Sequence, residues 1–176
     1  MDQSRSLGIY NMSFAKSRDC VVQIRLAIED DWHWIEGNAS AIGGPEVVSC
    51  GTLYRLRDHE GFVAITSDRP LGFAVLREDE ILGLAVPQPG NGVGSLLMAH
   101  CEHLLLTRGY SSAWLVTTND NLDAMRFYQR RGYILDALHK GAFAEVKRIK
   151  GLSGEVLGNF GIPIRDELVF RKSLKT

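Results

Sequence analysis

No apolar run in this 176-residue chain approaches the ~18 residues that a membrane-spanning helix requires, so no span is expected. Cysteine is scarce: Cys20, Cys50 and Cys101 are odd in number and lack any CxxC spacing. That excludes a disulfide scaffold and a zinc-ribbon pattern, and it points to a reducing, cytoplasmic compartment. Charge of either sign is not in excess, with 20 Lys plus Arg against 21 Asp plus Glu and a formal net charge of −1. A broad electrostatic surface for nucleic acid or membrane is therefore not expected. The first twenty residues, "MDQSRSLGIYNMSFAKSRDC", lack the continuous apolar core of a secretion signal. They read as a polar arm over 1–19, with one domain over 20–176. Neither an internal repeat nor a low-complexity tract nor a long linker divides the chain. No metal is expected either. His100 and His103 share a helix face, but no second ligand pair is spaced to complete a site, and they read as solvated.

What is present is a 45% hydrophobic chain with punctuated periodicity, enough for one sizeable core. "CVVQIRLA" reads as a strand. "IEDDWHWIEGNAS" reads as a helix capped by Asp30 or Asp31, and the segment from Glu46 to Arg57 as a short amphipathic helix. "PLGFAVL" and "ILGLAV" flank the charged turn "REDE", a hairpin signal, and both runs are apolar on both faces. From Val93 the apolar positions step by three and four, predicting a helix that ends at Gly109 with Arg108 near its C-terminal dipole. A strand "SAWLVTT", a helix "NDNLDAMRFYQRRGY", a strand "YILDAL", a helix "GAFAEVKRIK" and a closing strand "IRDELVFRKSL" follow. The order predicts a single-domain α/β fold, a mixed and mostly antiparallel sheet with helices on both faces.

The stretch "PQPGNGVGSLLMAHCEHLLL" sets glycines at 90, 92 and 94 directly before a helix. First-turn amides have no partner within the helix and the helix dipole adds positive potential there, so Gly90, Asn91, Gly92, Val93, Gly94 and Ser95 could present N–H groups to a pyrophosphate. An ordinary glycine turn is the plain alternative. A Walker loop needs Gly-Lys-Ser/Thr where this chain has Gly94-Ser95-Leu96. A dinucleotide fingerprint needs GxGxxG and an acidic residue after the next strand, and "AWLVTTN" supplies none in its apolar body.

Two segments carry a resemblance to the GNAT superfamily of acyl-CoA-dependent N-acetyltransferases. "LAVPQPGNGVGSLLMAHCE" resembles its strand, pyrophosphate loop and helix. "WLVTTNDNLDAMRFYQRRGYI" is similar to its next strand and helix, with Asn121, Ala124, Phe127, Tyr128, Gly132 and Tyr133 matching N-x-x-A-x-x-F-Y-x-x-x-G-Y/F. The likeness is good from residue ~60 to 174 and looser before that. It departs at Pro89, which stands where the family has Arg or Gln and so supplies neither charge nor N–H.

The resemblance implies acetyl-CoA as cosubstrate, lying between the strand that ends Leu84-Ala85-Val86 and the strand "AWLVTT". Pyrophosphate would rest on the loop, pantetheine near Asn121 and Ala124, and the thioester carbonyl near a main-chain N–H at Val86. It also implies Tyr128 as the acid that protonates the CoA thiolate, and a strand glutamate, here Glu80, as the base that deprotonates an amine acceptor. From the residues alone, Tyr128 could equally be a core aromatic, Glu80 a solvated turn residue, and Asn121 a helix cap. Glu29, Asp30, Asp31 and Glu36 with Trp32 and Trp34 could draw in a cationic amine, or simply form a solvated acidic helix face. The acceptor stays open between small molecule and protein, and a homodimer is compatible with the pattern. Two other functions fit the same residues: a non-catalytic acyl-CoA-binding or regulatory module, and a scaffold for protein contacts that binds no CoA.

Overall fold

Alternating burial builds the centre of the molecule in the computed structural model, which describes residues 21–67 and 69–175. The expected polar arm, 1–19, and Cys20 lie outside the described residues. Strands β1 (Gln23–Leu26), β4 (Glu60–Thr66) and β5 (Arg69–Arg77) pair antiparallel in that spatial order. Phe62, Ala64, Ala74 and Leu76 point to one face, and Val63, Ile65, Phe73 and Val75 to the other. With both faces apolar, the sheet has to be covered on both sides.

Helix α1 (Glu29–Gly37) covers one face with Trp32 and Ile35. On the other face lies α2 (Val93–Thr107), which buries Leu97, Met98, Cys101 and Leu105, and α3 (Leu122–Gln129) packs beside it through Met125, Phe127 and Tyr128. The hairpin partner of β5 is β6 (Glu80–Ala85). Beyond it come β7 (Ser112–Thr118), β8 (Ile134–His139), α4 (Phe143–Lys150) and β9 (Glu167–Ser173). The sheet order is β1-β4-β5-β6-β7-β9-β8, antiparallel except for the β6–β7 pair. This is the mixed, mostly antiparallel α/β architecture expected from the sequence. No helix among the described residues is long and apolar enough to cross a membrane.

Four local expectations are corrected. Residues Glu46 to Arg57 hold a hairpin, β2 (Glu46–Ser49) and β3 (Thr52–Arg55), instead of a helix. Its turn is Cys50-Gly51, both left-handed with φ of 48° and 79°, the geometry that matches strand twist in a two-residue hairpin. The run "EGFVAIT", given no element from sequence, is the interior strand β4. Helix α1 begins before Asp30, with Ile28 at its N-cap, and the Asp31 carboxylate accepts from the Ile28 amide at 2.8 Å and pairs with Arg25 at 2.6 Å. His100 is buried edge-to-face against Phe62 rather than solvated, and burial lowers its pKa. Arg108 does sit at the C-terminus of α2, where it also pairs with Glu60 of β4 at 2.6 Å.

Leu97 is fully buried at the centre of the α2–sheet contact. Leu97→Ala is expected to cost about 2–5 kcal/mol through lost burial and the cavity left behind, read as a lower urea midpoint at unchanged slope.

Candidate active site

The site begins where the sheet opens. β6 and β7 pair only at Glu80 and Trp114, reinforced by the Trp114 amide donating to the Asp79 carbonyl at 3.1 Å. Beyond that point the two parallel strands part, so the β7-facing edge of β6 has no strand beside it. A cleft of about 1090 Å³ fills the opening, walled by Leu84, Ala85 and Val86, by the glycine loop and by α3. Unpaired strand edges ordinarily invite another strand. Here the edge faces a space wide enough for an extended ligand arm.

The three glycines do two different jobs. Gly90 and Gly92 have φ of 102° and 78°, and a Cβ on either would meet nothing within 4 Å. They are needed for backbone conformation, and the room they leave is open to the cleft. Gly94 is a packing glycine: a Cβ there would touch the Phe127 ring at 3.4 Å, so it lets α2 and α3 approach. The Ser95 amide, expected among the free donors, donates to the Gly92 carbonyl at 3.0 Å, while the Ser95 hydroxyl accepts from Arg131. Val93 and Ser95 line the cleft, as does Pro89, whereas Asn91 does not reach its wall.

Cations that the sequence reading missed also line this cleft. Arg126, Arg130 and Arg131 come from α3 and its C-terminal turn, and Lys172 from β9. Arg131 lies over the Phe127 ring at 3.4 Å and donates to the Phe127 carbonyl at 2.9 Å, which fixes its guanidinium beside the loop. Their signal was present in "MRFYQRRGY", where the spacing of four puts Arg126 and Arg130 on one face and Arg131 follows just past the helix end at Gln129. Arg126 pairs with Asp123 at 3.0 Å and Lys172 with Glu102 at 2.6 Å, and both carboxylates line the same cleft. Asn121 caps α3 by accepting from the Ala124 amide at 3.3 Å, and both residues line the cleft.

A second cavity, about 540 Å³, lies behind the first and shares Leu84, Asn121 and Tyr128 with it. Tyr128 packs against Phe127, Tyr133 and Phe170, and burial holds its phenol up at about 12. Glu80 opens into this second cavity and is only 1% exposed. It is thus not a solvated turn residue, because the turn proper is Glu78-Asp79 and Glu80 already pairs across it with Arg77. The Ser49 hydroxyl donates to one Glu80 oxygen, and Arg77 donates to the other at 2.7 and 2.9 Å. Arg77 is held in turn over the Tyr54 ring at 4.5 Å. A second carboxylate on the cavity wall, Glu167, is 2% exposed, and burial raises its pKa. Glu167 was missed because nothing in "RDELVF" separates an inward glutamate from a solvated one.

The far wall is pinned by two adjacent side chains at the end of β7. Asp120 accepts from the Asn159 amide and side chain, both at 2.8 Å, and from Thr118 at 2.5 Å. Asn119 accepts from the amides of Arg165 and Asp166 at 2.8 and 3.0 Å. The 155–166 return segment is thereby held over the cavity. Lys150, pushed down by burial, donates to the carbonyls of Gly43 and Glu46 at 2.6 and 2.8 Å and closes the other side. None of the acidic residues or tryptophans of α1 lines either cavity. Asp31 pairs with Arg25, Glu29 and Glu36 pair with Arg57, and Trp34 packs on Phe73.

The sequence profile described as "Acetyltransferase (GNAT) family" matches residues 27–133, which run from α1 through β7 and include the glycine loop and α3. The chain belongs to the GNAT family of acetyltransferases. Among its relatives, the uncharacterized protein YxbD of Bacillus subtilis (strain 168) is 33% identical over 138 residues, covering 76% of this chain and 86% of that protein. The streptothricin acetyltransferase of Streptomyces lavendulae is 32% identical over 101 residues, 50% of this chain and 53% of the other. Among solved structures, a Bacillus subtilis acetyltransferase in complex with CoA superposes with a TM-score of 0.65 at 18% identity, over 88% of this chain and 99% of that one. At that identity the likeness shows the fold.

Removing one partner of a buried ion pair leaves the other uncompensated. Arg77→Met is therefore expected to destabilise this GNAT protein by about 3 kcal/mol. The double variant Arg77→Met/Glu80→Gln should recover part of that loss in the same urea titration.

Proposed function

We propose that the protein is an N-acetyltransferase that moves the acetyl group of acetyl-CoA to an amine by direct attack within a ternary complex. The observation that carries this reading is the shared wall at Leu84 and Tyr128. It puts a phenol where a large cationic cleft and a smaller carboxylate-lined cavity meet. Membership of an acetyltransferase family supports the cosubstrate, and the CoA found in a protein of the same fold is consistent with it. The reading takes residues 20–176 as one catalytic domain working in the cytoplasm, where Cys50 and Cys101 remain free thiols.

In this mechanism the arginines of α3 and the amides from Gly90 to Gly94 hold the pyrophosphate. The pantetheine arm lies along the open edge of β6 and bonds to its main chain as a substitute strand. The acceptor amine enters the second cavity. An alkylamine near pKa ~10 arrives protonated, so Glu80 takes one proton, directly or through a water, held in orientation by Ser49 and Arg77. The neutral nitrogen attacks the thioester carbonyl, and the oxyanion is stabilised by a main-chain N–H near Val86. When the C–S bond breaks, Tyr128 gives its proton to the departing sulfur. A phenol held at about 12 stays protonated and available throughout the neutral range. Carboxylates at 80 and 167 favour a cationic acceptor over an anionic one.

Calorimetry with acetyl-CoA, against NAD and ATP as controls, tests the cleft. Gly92→Glu is expected to abolish acetyl-CoA binding, because its carboxylate would project into the open space beside the loop. Gly92→Ala, which carries the same backbone strain without the charge, should bind far better. Equal affinities in the two variants would remove the loop from cosubstrate binding.

Tyr128→Phe is expected to lower kcat by about 10²-fold with little change in the KM for acetyl-CoA, and Glu80→Gln to lower kcat by a similar factor. Because the Tyr128 phenol is held up at about 12, kcat should not fall between about pH 8 and about pH 10. A basic limb inside that window would assign the acid elsewhere.

A further inference from the structure

Beside the second cavity three potential metal ligands converge, none of which carries a proton or touches the acetyl group in the mechanism above: Cys50, His139 and Glu167, whose donor atoms all lie within 4.8 Å of one another. They arrive from three separate elements: the β2–β3 turn, the end of β8 and the start of β9. The β8–β9 register makes His139 and Glu167 direct cross-strand partners, so their proximity is built into the sheet. Cys50 holds a left-handed backbone with φ of 48° at the tip of its hairpin.

The feature that calls for a ligand is Glu167. This side chain is 98% buried, yet its Oε2 has no hydrogen-bond partner and stands 3.9 Å from His139 Nδ1. A buried carboxylate oxygen without a partner is costly and uncommon. The imidazole is too distant to satisfy it directly, while a cation lying between oxygen, nitrogen and sulfur would bond all three.

We propose that Cys50, His139 and Glu167 form a binding site for a divalent cation of the zinc class. One thiolate, one imidazole and one carboxylate are the donor types that zinc accepts, with the fourth tetrahedral position left for water. Bond lengths of about 2.0–2.3 Å place tetrahedral ligands about 3.4–3.7 Å apart, so the present 4.8 Å envelope has to contract by about 1 Å. Cys50 is exposed and His139 half-exposed, so side-chain rotation in those two supplies the contraction while the buried Glu167 stays fixed. Glu167 also lines the second cavity. A bound cation therefore takes one carboxylate away from an amine acceptor and sets a positive charge beside it. The site departs from the sequence expectation of no metal, because Cys50 and His139 are far apart in the chain and neither belongs to a ligand motif.

The test is titration of the intact chain with Zn²⁺ by calorimetry, and with Co²⁺ by absorption. The expected result is one equivalent bound, with a thiolate-to-cobalt charge-transfer band that disappears in Cys50→Ser. His139→Gln should weaken zinc binding by at least about tenfold, the scale on which even outer-sphere partners of a metal act. Cys20→Ser, which removes a thiol outside the described residues, should leave band and affinity unchanged. Circular dichroism establishes that each variant is folded. No zinc binding by the wild-type chain, a cobalt complex without the band, or zinc affinity unaltered in both Cys50→Ser and His139→Gln would overturn the proposal. None of these readouts depends on acetyl transfer.

Discussion

The single parallel contact between Glu80 and Trp114 is the constraint on which the rest depends. Six strand junctions make up the sheet, and the other five are antiparallel ladders of four to seven pairs, three of them with a register shift. Had the β6–β7 junction zipped as fully, the sheet would be continuous and would offer no opening. Because it stops after one pair, the β7-facing edge of β6 has no strand beside it at Leu84 and Ala85, and the helices packed against the sheet become the walls of a cleft. Trp114 holds the closed end of the fork from both sides, through its amide to the Asp79 carbonyl and its indole N–H to the Asp79 carboxylate at 2.8 Å.

Both spaces carry charges of both signs. The cleft side has Arg126, Arg130 and Arg131 beside Glu102 and Asp123, and the cavity side has Lys150 and Asp120 beside the pair Glu80 and Glu167. Both carboxylates of that pair are buried, but their surroundings differ. Glu80 has Ser49 and Arg77 on its oxygens, whereas Glu167 keeps one oxygen without a hydrogen-bond partner. A buried acid with both oxygens engaged is an oriented group. A buried acid with one oxygen open is an incomplete one, and that contrast separates the mechanistic role given to the first from the metal-binding role given to the second.

Much of this was legible in the sequence because it is written in local period. The steps of α2, the capped start of α3 at Asn121 and the closing strand each rest on neighbours within a few residues. The hairpin at Glu46–Arg57 was misread because Val47, Val48, Leu53, Tyr54 and Leu56 suit a helical face as well as two short strands. Only the left-handed pair Cys50-Gly51 decides between them, and cysteine does not advertise that conformation. Glu80 looked solvated because it ends a run of four charged residues. Its burial follows from Arg77 crossing a two-residue turn and Ser49 arriving from a distant hairpin, neither of which is a local property. The three glycines looked alike, yet a side chain at Gly94 would meet Phe127 on another helix, whereas one at Gly90 or Gly92 would meet open space.

The pinning of the return segment by Asn119 and Asp120 has a consequence for how such a protein can change over evolutionary time. The elements that line the cationic cleft lie mostly between Leu84 and Arg131, inside the region shared across the family. The second cavity draws on much of the same region and adds Val156 to Ile164, and this segment and the stretch from Ser40 to Ser49 are fastened to the sheet by a few side-chain clasps. Substitutions between those clasps can reshape the smaller cavity while the shared half of the molecule stays intact. The architecture thus lets the mouth of the smaller cavity be recut without loosening the sheet that frames the larger one.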